Sequence, residues 1–130
     1  MMTITTPGFD EAELAARLDT MTQDEFDDLD FGVIAIDDQT RVCVYNAAES
    51  RIAGLSPGRV LGSRLFEVVA PCMNNFMVAQ RFADAAAARI ELDVVIDYVL
   101  TLRMLPLKVR LRLVATPGSE RRYVLVQRVV

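Results

Sequence analysis

Three apolar runs in the second half of the chain, residues 92–100, 107–115 and 122–129, constrain its fold more than any other feature. In the last of them Val124, Leu125 and Val126 follow one another without a polar break. Successive side chains of a strand point to opposite faces, so an apolar triplet marks a strand buried on both sides. The sheet that contains it needs two covers. A turn near residues 103–106 and the sequence Thr116-Pro117-Gly118-Ser119 separate the runs, which read as consecutive antiparallel strands.

Residues 32–37 and 41–45 supply a further β-rich pair, predicted as a hairpin around Asp38-Gln39-Thr40. After it, Asn46 reads as a helix N-cap with Glu49 three residues on, and Ser56-Pro57 as a second helix start. Gly54, Gly58 and Gly62 divide that stretch into short turns. Residues 75–88 place Phe76, Ala79, Phe82, Ala83 and Ala86 at three- and four-residue spacings, which predicts an amphipathic helix. Upstream, residues 10–18 put Leu14 and Leu18 on one helical face, and Thr22-Gln23-Asp24-Glu25 has capping-box spacing before Phe26 and Leu29. Strand, strand, helices and three strands give an α+β fold with one five-stranded antiparallel sheet. The central helices are expected on one face and the N-terminal helices on the other. One domain over residues 1–130 is expected, with 1–28 as an N-terminal cap and 29–130 as the core.

A hydrophobic fraction of 52% suits a sheet buried on both faces. The net charge of −4, with acids clustered in residues 10–38, argues against a nucleic-acid or anionic-membrane surface. Protein or small-molecule partners are expected, and the basic residues alternating with apolar ones near the C-terminus read as solvated sides of strands. No signal-peptide pattern opens the chain and no apolar stretch is long enough to span a bilayer, which predicts a cytoplasmic protein with Cys43 and Cys72 as free thiols. Cys43, flanked by Val42 and Val44, is assigned to the core. The absence of histidine removes Cys-His pairs and His-based metal sites, and no phosphate-cradling glycine loop or CxxC occurs. No enzymatic role is expected.

The chemistry is concentrated in two segments, Tyr45-Asn46-Ala47-Ala48-Glu49 and Val69-Ala70-Pro71-Cys72. A thiol on a proline-stiffened loop can carry a covalent group, and a phenol with a carboxylic acid can hold the far end of that group by hydrogen bonds. Pro71 biases Ala70 towards an extended conformation, and the amides of a following helix can lower the thiol pKa. Burial would keep Glu49 protonated near neutral pH. The same residues admit another arrangement, in which an ionised Glu49 returns to the backbone N–H of Asn46 as a cap and Tyr45 merely ends a strand.

These segments, together with Phe31-Gly32-Val33-Ile34, Met104, Pro106 and Val126-Gln127-Arg128-Val129, resemble the photoactive yellow protein family. The resemblance runs from the N-terminal helices to the C-terminus, with one inserted residue around residues 85–89. It implies a PAS fold and a blue-light receptor carrying p-coumaric acid (4-hydroxycinnamic acid) as a thioester on Cys72. It further implies that Tyr45 and Glu49 hydrogen-bond the phenolate oxygen and that Met104 lies near the ring. Signalling would follow from trans/cis photoisomerisation, proton transfer from Glu49 and partial unfolding towards a downstream signalling protein, from a monomer or weak dimer. The chain departs from the family pattern at Ala53, where the family has threonine, at Leu55, where it has arginine, and at Leu100 and Leu102, where it has aromatics. The alternative expectation is a non-photoactive PAS sensor or interaction module whose aliphatic pocket binds another apolar ligand or none.

Overall fold

The structure is a computed structural model that describes residues 6–101 and 106–129. Its strands are β1 (Gly32–Ile36), β2 (Val42–Tyr45), β3 (Leu92–Leu100), β4 (Leu107–Ala115) and β5 (Arg122–Arg128). They form one antiparallel sheet in the order β2-β1-β5-β4-β3. The two ends of the core meet in the middle of this sheet, where Ile34 is paired with Val124 and Gly32 with Val126. All five expected strand runs are present and differ only at their ends.

Both faces are covered. On one, Ile34, Ile36, Leu111, Leu113 and Val124 pack against the segment between β2 and β3. On the other, Val33, Ala35, Tyr123 and Leu125 lie beneath Leu14, Leu18 and Phe26. These last three belong to α1 (Leu14–Leu18) and α2 (Gln23–Asp27), five residues each. Helices so short do not persist alone in water, and burial of a large apolar side chain, about 1.5–3 kcal/mol each, holds them to the sheet. The capping box of α2 is formed: Thr22 Oγ1 accepts from the Glu25 amide, and Glu25 Oε1 accepts from the Thr22 amide.

Polar groups fasten the same cap. Arg112, on β4 and 5% exposed, makes paired bonds of 2.8 Å to the Asp93 carboxylate and donates from Nη1 to the carbonyls of Phe9 and Glu11. Tyr123 donates to Asp19 at 2.5 Å, and the Ala47 amide donates to Asp27 at 2.8 Å.

Between β2 and β3 lie α3 (Ala47–Ala53), α4 (Pro57–Val60), a π-helical turn (Leu65–Val69), a 3-10 turn (Pro71–Met73) and α5 (Ala79–Ala88). Helix α5 starts later than its apolar spacing predicts. Asn75 Oδ1 accepts the amides of Met77 and Val78, which turns the chain before the helix begins and leaves Phe76 79% exposed instead of on the buried face.

Cys43 is exposed, which corrects its assignment to the core. Ile36 is paired with Val42 and Ala35 with Val44, so Cys43 is the extra residue of a β-bulge and has no partner in the ladder. Without the bulge, the two-residue period would set Val42 and Val44 on one face and Tyr45 on the other. With it, Val42 and Tyr45 share the helix-covered face, and Val44 faces the cap.

Candidate functional site

The bulge at Cys43 therefore orients the first functional side chain. Tyr45, at the end of β2, is 1% exposed and packs in the same apolar cluster as Ala53, Leu100, Val69, Ala70 and the half-buried Leu55 and Cys72. Burial holds its phenol well above the usual tyrosine pKa, and the neighbouring Glu49 charge adds to the effect.

Glu49 is set by the residue that caps its helix. Asn46, fully buried, accepts at Oδ1 from the Glu49 amide at 3.0 Å and from the Val33 amide at 2.8 Å. Its Nδ2 donates to the carbonyls of Phe26, 2.8 Å, and Phe31, 3.0 Å. Every hydrogen-bonding site of this carboxamide is in use. One side chain thus joins α3, β1 and the N-terminal cap.

The Asn46 backbone amide donates to the Val33 carbonyl at 3.2 Å. Glu49 does not return to it, so the reciprocal half of that cap is absent, although Asn46 caps α3 and Tyr45 ends β2. Instead the Glu49 carboxyl is buried, 1% exposed, with neither oxygen hydrogen-bonded. Desolvation pushes its pKa up to about 8, so at neutral pH it is predominantly a protonated acid with a hydroxyl to donate. It fits only because residue 32 is glycine: a Cβ there would stand 2.3 Å from Glu49 Oε1.

Cys72 occupies the 3-10 turn that Pro71 begins. Its carbonyl accepts from the Tyr98 hydroxyl and from Asn75 Nδ2, the latter at 3.2 Å. Ala53, held just before the C-cap Gly54 (φ 72°), and Leu55, whose carbonyl accepts from Ser50 Oγ at 2.7 Å, belong to the same apolar cluster as Cys72 and Tyr45. Leu100, 2% exposed, belongs to that cluster as well. Tyr45, Ala53, Leu55, Cys72 and Leu100 share this cluster, and Glu49 adjoins it beside Tyr45; Met104 and Leu102 lie outside the described residues.

A model of the PAS fold matches residues 26–127. Photoactive yellow protein of Rhodothalassium salexigens is 30% identical over 93% of this chain and 96% of that protein. Photoactive yellow protein of Halochromatium salexigens is 32% identical over 92% of this chain and 95% of its own length. The chain belongs to the photoactive yellow protein family. Similar solved structures include the photoactive yellow protein domain of a sensor histidine kinase from Rhodospirillum centenum, 34% identical with a TM-score of 0.80, covering 87% of this chain and 98% of that one. A PAS domain of Haloarcula marismortui, at 15% identity and a TM-score of 0.58 over 90% of this chain and 98% of that one, shares the fold alone. Membership of the photoactive yellow protein family makes this a PAS-type photosensor.

Three residues around the site, Gly32, Asn75 and Tyr98, have roles that the sequence alone does not assign. Gly32 gives no signal in one sequence, since its need appears only when Glu49 lies over it. Asn75 has a readable signal, an Asn opening an amphipathic run, and Tyr98 is an isolated phenol in a β-strand. Among the described residues no helix is long and apolar enough to cross a membrane.

Proposed function

We propose that this chain is a blue-light photoreceptor that carries a p-coumaroyl group as a thioester on Cys72. The observation that carries the reading is the Glu49 carboxyl, buried beside Tyr45 with both oxygens lacking partners. Leaving such a group unsatisfied costs about 1–3 kcal/mol, and a ligand hydroxyl or phenolate at this place would remove that cost. Tyr45 and protonated Glu49 would then be two neighbouring donors for one acceptor, while Cys72, packed against the same cluster as Tyr45, would supply the sulfur for attachment.

The bound hydroxycinnamoyl group would supply the light-absorbing double bond and the photoisomerisation. The protein's part is to keep a proton on the Glu49 carboxyl by desolvation and release it when the site changes shape. A bare, buried Glu49 carboxylate is costly. Asn46, one turn away, holds the Glu49 amide, the cap carbonyl of Phe26 and the carbonyl of Phe31 just before β1, so strain at α3 reaches the cap directly. Loosening of the N-terminal cap and exposure of the sheet face beneath it is the output offered to a downstream protein.

Reaction with an activated 4-hydroxycinnamoyl ester, followed by mass spectrometry and illumination, tests the reading. A single adduct on Cys72 with a visible band that bleaches and recovers is expected, and an unmodified Cys72 would overturn it. The aliphatic Ala53, Leu55 and Leu100 favour a second reading, a PAS module holding another apolar ligand. Mass spectrometry of protein from its native host separates the two.

A further inference from the structure

Cys72 lies in a turn of three residues, an element too short to fix the direction of its own side chain. What fixes it comes from elsewhere in the fold. Tyr98 is a β3 residue opposite Val109 of β4, and its hydroxyl donates to the Cys72 carbonyl. Asn75 Nδ2 donates both to the Tyr98 oxygen, at 2.6 Å, and to the Cys72 carbonyl, at 3.2 Å. Asn75 Oδ1 in turn accepts the amides of Met77 and Val78, and its backbone carbonyl accepts from the Gln80 amide at 3.0 Å. The carbonyl of Cys72 is thus tied to the sheet through a phenol and to the start of α5 through a carboxamide.

We propose that Tyr98 and Asn75 are positioning residues for Cys72, holding its turn so that the sulfur faces the cluster containing Tyr45. This rests on the covalent-ligand reading above. In the step concerned, the Cys72 thiolate attacks the carbonyl carbon of an activated 4-hydroxycinnamoyl donor. The S–C bond forms, the bond to the leaving group breaks, and that group departs with the electron pair, the thiol proton having passed to solvent. No oxidation state changes. Such an attack succeeds when sulfur and acyl carbon meet at near-contact distance in the right direction, with the acyl group accommodated by the pocket. Alkylation by a small, freely approaching reagent makes no such demand. The two reactions therefore separate positioning from simple access.

The experiment uses the full chain with Cys43→Ser, because Cys43 is an exposed second thiol. Rates of Cys72 acylation by 4-hydroxycinnamic anhydride and of alkylation by iodoacetamide are measured by mass spectrometry. They are compared for this parent, Tyr98→Phe and Asn75→Asp. Tyr98→Phe keeps the ring and removes the donor. Asn75→Asp keeps acceptors for Met77 and Val78 but loses both donated bonds. The ratio of acylation to alkylation is expected to fall about three- to tenfold in each variant, the effect of one or two ordinary hydrogen bonds. A ratio within twofold of the parent in both variants overturns the proposal, including the case in which both reactions slow equally through general loosening. A parent that is alkylated at Cys72 but never acylated overturns the covalent-ligand reading itself, a result distinct from either.

Discussion

A Cβ on residue 32 would stand 2.3 Å from Oε1 of Glu49 and 3.2 Å from its Cβ, so Gly32 and Glu49 occupy what is ordinarily one side chain's space. Gly32→Ala forces the carboxyl, or the helix that carries it, away from β1. Overpacking of this kind costs about 1–3 kcal/mol, and urea unfolding should show a loss in that range. Combining it with Glu49→Ala should recover part of the loss, because the worst contact disappears. Simple addition of the two single effects would show that the clash is not what Gly32 avoids.

Glu49 also makes stability depend on pH. Its folded pKa, about 8, lies above the ordinary glutamate value, so the folded state keeps a proton that the unfolded state has already lost. Its favourable contribution is complete below the unfolded pKa, is progressively lost as pH rises towards about 8, and levels off beyond. The slope from this one group approaches about 1.4 kcal/mol per pH unit within the window. For the ligand-free chain, Glu49→Gln should flatten the profile between pH 5 and pH 8 relative to the parent. Parallel profiles for the two proteins would mean that Glu49 is not the buried acid described.

Asn46→Ala deletes four hydrogen bonds at once and leaves buried carbonyls and amides of Phe26, Phe31, Val33 and Glu49 without that partner. A loss on the order of 3 kcal/mol is expected, with faster amide exchange in both α2 and α3. Exchange that quickens in α3 alone would show that the cap is anchored independently of the Glu49 helix.

The sheet was legible because its strands follow simple physical patterns: alternation, apolar triplets at the centre, and turn residues between. What escaped the sequence were places where a side chain competes with the backbone. The period of residues 75–88 is genuine, yet Asn75 captures the amides of Met77 and Val78, delays α5 and turns Phe76 outward. In β2 the alternation is broken by an inserted residue, and Cys43, apparently a core position between two valines, is the bulge. The chemistry-bearing residues Tyr45, Glu49 and Cys72 stood out by residue type. Gly32 and Tyr98, which make room for one and hold another, matter through contacts between the sheet and the segment that joins β2 to β3, and these leave no mark on neighbouring sequence.

Arg112 should act as the latch of the N-terminal segment. Its guanidinium spans the Asp93 carboxylate and two main-chain carbonyls, of Phe9 and Glu11, a planar fork that lysine cannot reproduce. Arg112→Lys and Arg112→Met should both speed tryptic cleavage after Arg17 several-fold, with little effect on cleavage within the sheet. Asp93→Asn, which leaves the carbonyl contacts in place, should have a smaller effect. Equal cleavage rates in all four proteins would place the hold on the cap elsewhere, at Tyr123–Asp19 or Asn46.

If the site holds a 4-hydroxycinnamoyl group, its phenol should titrate at a higher pH than a more polar pocket would allow. Two donors, Tyr45 and protonated Glu49, would be available to it, but Ala53, Leu55 and Leu100 of the same cluster would offer it only hydrocarbon. Desolvation without further hydrogen bonds favours the neutral form of an acid. Part of the reconstituted protein should therefore carry the protonated, shorter-wavelength form in the dark at neutral pH, converting to the longer-wavelength form as pH rises. Ala53→Thr adds a hydroxyl that can support Tyr45, and Leu55→Arg adds a cation at the wall. Each should lower the titration midpoint, by about a unit for the charge. A single long-wavelength band that persists well into the acid range in the unaltered protein would show that Tyr45 and Glu49 suffice, and that the aliphatic wall does not tune the site.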